Sequence, residues 1–289
     1  MDLNLYQRRF GLPLDTPNIP LNDYIQSQLS RATVRDFKTQ PLDAGTLEVL
    51  LAVAQSASTS GMLQTYSVLA LTTAEDKEKL FSTVQASKSI GGVDSHNVRV
   101  IKTAPVFLIW IADLSRIDFL LHEIYKTTPF NSEILKQTSR AEYHLKAIID
   151  ATIAAQAFAS AAESMKLGIM YCGAIRQIPV ELFEKEFGFP KLTFPIFGMA
   201  VGHPALPANQ RKVKPRIQTK VILHNGKYEP TKFDEFIEYD KALYNWSVKV
   251  ASDANNHYSY STRLVERMAV SWTKTNVSNS LRQMGFNFD

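Results

Sequence analysis

Residues 104 to 114 read APVFLIWIADL, a nearly continuous apolar run. A short apolar run of this kind predicts a strand that is buried on both faces. A second run, LTFPIFGMAVGHP at 192–204, predicts another buried strand that ends in a turn, and SVLALTT at 67–73 predicts a third. These three segments supply the strands of a buried sheet.

Helical patterns surround the strands. The segment HLKAIIDATIAAQAFASAAESMKL at 144–167 predicts a long helix, which Gly168 is expected to end. Its many alanines and serines allow another helix to pack very close. FDEFIEYDKALYNWSVKV at 233–250 and TRLVERMAVSWTK at 262–274 predict two amphipathic helices near the end of the chain. Strands and helices mix without a regular βαβ rhythm, which indicates an α+β fold.

The first hundred residues predict shorter elements. Residues 1–20 are expected to form an arm, because three prolines interrupt them. Asn22 is expected to cap one helix, and Asp43 or Thr46 a second helix over LEVLLAVAQSAS. A further helix is predicted over AEDKEKLFSTVQ, and residues 88–98 are predicted to form a loop.

Composition excludes several classes of protein. The 289 residues carry a net charge of only +4, spread evenly, which does not indicate nucleic-acid binding. A single cysteine excludes a disulfide framework and fits a reducing cytoplasm. The N-terminus does not resemble a signal peptide, and we expect no membrane span. The six histidines lack metal-ligand spacing, so no metal site is expected, and the glycines form neither a GxGxxG motif nor a P-loop.

Two basic segments are candidate anion sites. RATVRDF at 31–37 places Arg31 and Arg35 four residues apart, with the hydroxyl of Thr33 between them. This spacing is typical of one face of a surface helix, and equally of half of a phosphate site. KVKPR at 212–216 carries two cations on either side of a stiff proline, or is an ordinary basic loop.

Two further segments combine small and polar residues. SASTSGMLQ at 56–64 suits close approach of a flat polar ligand, or simply ends a helix. LGIMYCGAIRQ at 167–177 has two glycines that let backbone approach a ligand. Cys172 lies inside it, and we interpret this cysteine as a small buried apolar residue rather than a nucleophile, because no histidine is near it in sequence.

Taken in their order along the chain, these segments resemble the nitroreductase family of FMN-dependent oxidoreductases, and most closely its NADPH-dependent nitroreductase and flavin reductase branch. The resemblance covers about residues 25–230. The residues that carry it are Arg31, Thr33, Arg35 and Phe37; Ser58 to Gln64; Tyr171, Gly173 and Arg176; Phe197, Gly198, Gly202 and Pro204; and Lys214 to Arg216.

The resemblance implies a homodimer with a nitroreductase-like fold, in which helices flank a central, mostly antiparallel sheet. It implies an arm at 1–24, an FMN-binding core at 25–230 and a C-terminal helical extension at 231–289. The FMN-binding residues that it implies are Arg31, Ala32, Thr33, Arg35, Thr59, Ser60, Met62, Asn97, Tyr171, Cys172, Gly173, Ala174, Lys214 and Arg216. The basic members would hold the phosphate, and residues 172–174 would run beside the flavin ring.

The implied activity is transfer of a hydride from NAD(P)H through FMN to nitroaromatics, quinones or flavins, in a ping-pong, two-electron cycle. No protein side chain is expected to be catalytic, because the cofactor carries the chemistry. Alternatives are a dedicated flavin reductase, a flavin-fragmenting or dehalogenating enzyme, and an FMN-binding module without turnover. The sequence departs from the family at Ala32, Gly61, Met62 and Thr65, and the segment KVASDANNHYSYS at 249–261 has few cations for a 2′-phosphate.

Overall fold

The computed structural model describes residues 4–15, 17–18, 20–87, 96–230, 233–250, 257–272 and 277–288. Within these residues the α-helices are α1 (Leu5–Phe10), α2 (Asp23–Ser30), α3 (Thr46–Gln55), α4 (Ala74–Ser87), α5 (His96–Thr103), α6 (Ser115–Thr127), α7 (Ala141–Ser164), α8 (Val180–Phe187), α9 (Thr219–Ile222), α10 (Phe233–Val250), α11 (Tyr260–Trp272) and α12 (Val277–Gln283). The strands are β1 (Tyr66–Leu71), β2 (Val106–Asp113), β3 (Gly168–Cys172) and β4 (Thr193–Gly202). Short 3-10 helices cover Ser60–Met62, Ser132–Ser139, Gly173–Gln177 and Ala208–Gln210.

The chain divides into two compact units. Unit 1 comprises Met1–Ala32 and Leu206–Thr273, and unit 2 comprises Thr33–Ala205 and Lys274–Asp289. The division at residues 24 and 230 that the family resemblance implies stays a prediction.

The sheet belongs to unit 2. Its four strands lie in the order β1-β2-β4-β3, and every neighbouring pair is antiparallel. All residues of β2 and β4 are buried, as their continuous apolar sequences predict. The three predicted strands and the α+β class are therefore confirmed. The sequence reading missed β3, because GIMYC is too short to distinguish from a loop by pattern alone.

The long helix α7 packs across β1, β2 and β3 and against α3. Alanines fill much of its buried face, so neighbouring backbones approach closely, and the predicted helix is confirmed. Its predicted end is wrong: α7 stops at Ser164, and Gly168 is the first residue of β3. Among the described helices, α7 alone has the length and composition to cross a membrane. Half of it is buried in the protein, so we interpret it as a core helix.

The predictions for the shorter elements of the first hundred residues are confirmed only in part. The Asn22 side chain accepts a hydrogen bond from the Ile25 amide at 2.9 Å and caps α2, as predicted. The predicted cap of α3 is wrong, because its N-cap is Gly45 in the left-handed conformation. Residues 88–95 of the predicted loop lie outside the described residues, whereas α5 begins at His96, inside that loop.

Unit 1 is helical. The predicted C-terminal helices are confirmed as α10 and α11, and α10 buries Tyr239, Ala242 and Leu243. The N-terminal arm is not wholly irregular, since its residues 5–10 form α1. Asn4 caps this helix by accepting a hydrogen bond from the Gln7 amide at 2.9 Å.

Candidate functional site

The segment that follows α2 is extended rather than helical. Arg31 is the C-cap of α2, with a ψ of 132°, and the helix ends there. Val34 is buried, and its amide donates to the Ile169 carbonyl of β3 at 3.1 Å. Thr33 and Arg35 are exposed, on the side opposite Val34. The hypothesis that Arg31 and Arg35 share a helix face is therefore wrong, whereas Thr33 and Arg35 do share one side of an extended segment.

A glycine allows this segment to lie so close to β3. A Cβ atom at Gly168 would come within 2.7 Å of the Val34 side chain, closer than such atoms can approach. At the other end of the segment the Lys38 amide donates to the His203 carbonyl at 2.8 Å. The segment is thus fixed at both ends, and Thr33 and Arg35 are displayed from a rigid backbone.

The Ser-rich loop has an uncommon backbone. Gly61, Met62 and Gln64 all have positive φ angles, of 57°, 60° and 52°. Such angles are costly for residues that carry a Cβ atom. Met62 is 82% exposed. Met62 therefore points into solvent, whereas Thr59 and Ser60 are half-buried, and the assignment of all three to the cofactor stays a prediction.

A buried carboxylate holds this loop in place. Asp150 on α7 is fully buried and accepts hydrogen bonds from the Ser60 amide at 2.7 Å and from the Thr65 hydroxyl at 2.7 Å. The Thr65 amide donates to it as well, at 3.2 Å. Burial raises the pKa of Tyr66, and the negative charge of Asp150 raises it further. Sequence reasoning missed Asp150, although an isolated acid in an alanine-rich helix was a usable signal.

The only cysteine of the sequence, Cys172, is the last residue of β3. Cys172 is buried, and burial raises the pKa of its thiol to about 11. It stays protonated at neutral pH, which confirms the interpretation as a buried apolar residue. The chain then turns into the 3-10 helix that starts at Gly173, which is exposed, followed by the half-buried Ala174. The Tyr171 hydroxyl donates to the Ala155 carbonyl at 3.1 Å and anchors this strand to α7.

Within unit 1, Arg9 contacts both Arg31 and the basic segment at 212–216. The Arg9 guanidinium donates to the carbonyls of Arg31 at 2.6 Å and Lys214 at 3.3 Å, and the Arg216 amide donates to the Arg9 carbonyl at 2.9 Å. The Lys214 ammonium lies over two aromatic rings, 5.5 Å from the centre of Trp246 and 5.0 Å from that of Tyr258. The sequence analysis did not identify Arg9, Trp246 and Tyr258, because they lie outside both basic segments.

The structure gives little information on two of the predicted FMN-binding residues, Ala32 and Asn97. Ala32 is half-buried at the end of the first segment of unit 1. Asn97 belongs to α5, but its side chain lies outside the described residues.

A family model confirms the resemblance. The model described as "Nitroreductase family" matches residues 29–203. This chain belongs to the nitroreductase family. The Cr(VI) reductase of Pseudomonas sp. (strain G-1) is 32% identical over 245 residues, which cover 85% of this chain and 86% of the relative. The FMN reductase (NADPH) of Bacillus subtilis (strain 168) is 30% identical over 271 residues, 92% of this chain and 99% of the relative.

A solved structure of a family member supports the same assignment. The NfrA1 nitroreductase from B. subtilis superimposes with a TM-score of 0.77 at 28% sequence identity, covering 92% of this chain and 99% of that one. The predicted nitroreductase-like fold is confirmed. As a member of the nitroreductase family, the protein is an oxidoreductase that uses FMN as cofactor and NAD(P)H as cosubstrate, as the resemblance implied.

The side chains present fit FMN, unit by unit. In unit 2 the hydroxyl of Thr33 and the guanidinium of Arg35 are both exposed, and these are groups that bind a phosphate dianion. In unit 1 the backbones of Arg31, Lys214 and Arg216 converge on Arg9. Taken by itself, each unit therefore contains basic side chains of the kind that bind a phosphate.

Proposed function

We propose that this nitroreductase-family protein oxidises NAD(P)H and reduces nitroaromatics, quinones or free flavins by two electrons, in a ping-pong cycle. When bound, FMN supplies the redox chemistry. The observation that carries the proposal is the rigid display of Thr33 and Arg35 beside β3, because this segment contains the first motif of the family. The acceptor is a small molecule.

The residues that we propose to hold FMN are those of the family motifs. We assign the phosphate to Arg31, Thr33, Arg35, Lys214 and Arg216, and the rest of the cofactor to Ala32, Thr59, Ser60, Met62, Asn97, Tyr171, Cys172, Gly173 and Ala174. Basic side chains balance the dianion and donate charge-assisted hydrogen bonds. A thiol with a pKa of about 11 is not a nucleophile at neutral pH, so Cys172 shapes the site rather than reacting.

We propose that the protein is a homodimer in the cytoplasm. Leu145, Ile149 and Ile153 lie four residues apart along one side of α7, and they are 53%, 42% and 44% exposed. Three large aliphatic side chains in one stripe favour a protein interface over solvent. The cytoplasmic assignment rests on the single cysteine, which is buried.

A dedicated flavin reductase is the second candidate. The name of the B. subtilis relative, FMN reductase (NADPH), favours it, and that relative covers 92% of this chain. In such an enzyme free flavin is the preferred acceptor rather than a nitro compound or a quinone.

The first experiment is an absorption spectrum of purified protein, followed by steady-state oxidation of NADPH and of NADH. Nitrofurazone, a benzoquinone, chromate and free FMN serve as acceptors. Parallel double-reciprocal lines support the ping-pong cycle, and a marked preference for free FMN supports the flavin reductase. Bound flavin without turnover of any acceptor supports a binding module instead.

The phosphate assignment is tested by substitution. We expect Arg35→Ala and Arg216→Ala each to weaken FMN binding by about 1.5–3 kcal/mol, since each removes a hydrogen bond to a charged group. Fluorescence titration of apoprotein with FMN measures the effect. Unchanged affinity in both variants would contradict the assignment.

A further inference from the structure

Arg9, in the N-terminal helix α1, makes contacts that its position in the sequence does not predict. Its guanidinium donates to the Leu29 carbonyl at 2.7 and 3.1 Å, and to the Gln28 carbonyl at 3.3 Å. These carbonyls lie in the last turn of α2, at the negative end of the helix dipole. A cation there is favourable, and Arg9 fixes the end of α2 from which Arg31 follows.

The same side chain reaches the second basic segment of unit 1. Beyond its contacts with α2, it donates to the Arg31 carbonyl at 2.6 Å and to the Lys214 carbonyl at 3.3 Å. The Arg9 carbonyl in turn accepts from the Arg216 amide at 2.9 Å. One residue therefore sets the distance between two backbones that carry three candidate phosphate cations.

An arginine suits this role for a geometric reason. The guanidinium has five N–H donors in a rigid plane, so it can bind carbonyls on opposite sides at once. A lysine has three donors on a single nitrogen and does not span the same set of acceptors. The main-chain contact through Arg216 is independent of the side chain.

We propose that Arg9 is a positioning residue that aligns Arg31 with Lys214 and Arg216 for the phosphate group of the flavin. This rests on the proposed function, which it extends by giving the N-terminal arm a role in selecting the phosphorylated cofactor. The Arg9 side chain makes no contact with the cofactor in this role. It acts through the backbones that it holds.

The test compares FMN with riboflavin, which has the same ring system but lacks the phosphate. Apoprotein is titrated with each flavin, and the ratio of the two dissociation constants is recorded for wild type, Arg9→Ala and Arg9→Lys. Arg8→Ala is the matched control, because it removes the same charge from the neighbouring, exposed residue of α1. Thermal unfolding of each apoprotein shows whether it is folded.

We expect Arg9→Ala to reduce the preference for FMN over riboflavin by about tenfold or more, the scale of losing hydrogen bonds of a charged group. Arg9→Lys is expected to fall between wild type and Arg9→Ala. The ratio for Arg8→Ala is expected to stay within about twofold of the wild-type ratio, because exposed charges contribute little to binding. A general folding defect would weaken both flavins alike and leave the ratio unchanged, so the ratio distinguishes positioning from structural damage.

The titration distinguishes failure of the proposed function from failure of the role proposed for Arg9. Wild-type protein that binds neither flavin contradicts the proposed function, and the role of Arg9 with it. Wild-type protein that prefers FMN, together with an unchanged ratio in the Arg9 variants, overturns the role of Arg9 alone. Should Arg9→Ala not fold, Arg9→Lys decides: a reduced ratio supports the proposal, and a wild-type ratio overturns it.

Discussion

At the scale of single residues, Asp150 links the core of unit 2 to the candidate site. Its carboxylate is fully buried and accepts three hydrogen bonds, all from Ser60 and Thr65. A buried charge is tolerated only when its hydrogen bonds are satisfied. Gly61 and Met62, which have positive φ angles, lie between these two donors in the chain. The carboxylate therefore stabilises a loop conformation that would otherwise be unfavourable.

We expect Asp150→Asn to lower the free energy of unfolding by about 2–4 kcal/mol, because an amide group offers donors where the loop also offers donors. Urea unfolding measures this loss, and hydrogen exchange of the peptide covering 58–66 measures the loosened loop. Glu142→Gln is the matched control, since Glu142 is an exposed acid on the same helix. Equal exchange of the 58–66 peptide in wild type and Asp150→Asn would contradict the role assigned to Asp150.

At the scale of elements, the extended segment at 33–37 depends on β3. The Val34 side chain is buried and packs over Gly168. Thr33 and Arg35, on either side of it, therefore face solvent. The interval between the two arginines in RATVRDF is therefore not the i,i+4 spacing of a helix. Within unit 2, Thr33 and Arg35 follow the alternation of an extended chain, which places every second residue on the same side.

We expect Gly168→Ala to destabilise the protein by about 1–3 kcal/mol, because the new methyl group overlaps Val34 and forces the segment away from β3. FMN affinity is expected to fall as well, since Thr33 and Arg35 move with the segment. Urea unfolding and flavin titration measure the two effects. The double variant Gly168→Ala/Val34→Ala should recover part of both losses, and failure to recover would show that the overlap is not the cause.

At the scale of the whole molecule, a buried histidine makes stability depend on pH. His144 packs against Phe194 and Phe286, with ring centres 6.1 and 4.3 Å away. Burial lowers its pKa from 6.5 to about 4. The unfolded chain binds a proton near pH 6.5, where the folded protein does not, so acid favours unfolding.

The free energy of unfolding should therefore be highest above pH 6.5 and fall by roughly 3 kcal/mol as the pH decreases to about 4. His144→Leu removes this contribution, and its stability should change less over the same range. Urea unfolding at pH 7.5, 6, 5 and 4, in wild type and variant, is the measurement. If the free energy of unfolding depends on pH equally in wild type and in His144→Leu, His144 does not titrate as described.

The proposed dimer is a second property of the whole molecule. We expect Ile149→Asp to convert dimer to monomer without unfolding the protein, because this side chain is exposed in the single chain but belongs to the aliphatic stripe of α7. Sedimentation velocity measures the oligomeric state. Ile134→Asp is the control, since it is equally exposed, at 42%, but lies in the 3-10 helix at 132–139. A dimeric Ile149→Asp protein would contradict the proposed interface.

Local sequence patterns were sufficient to predict the buried strands, the long helices and the family. Apolar runs such as 104–114 and the composition of 144–167 are local properties, and the family motifs are each contiguous, so all can be read without a structure. Local patterns did not give the cap of α3 or the position of β3, where short segments have several conformations of similar energy.

The contacts that support the candidate site join segments that are distant in the chain. Ser60 and Asp150 are 90 residues apart in sequence, and Arg9 and Lys214 are 205 apart. The approach of Val34 to Gly168 likewise joins distant parts of the chain. Such contacts form because folding places the two partners together, and no pattern within either segment encodes its partner. Sequence thus identified the residues that present the chemistry, whereas three-dimensional packing revealed the residues that hold them.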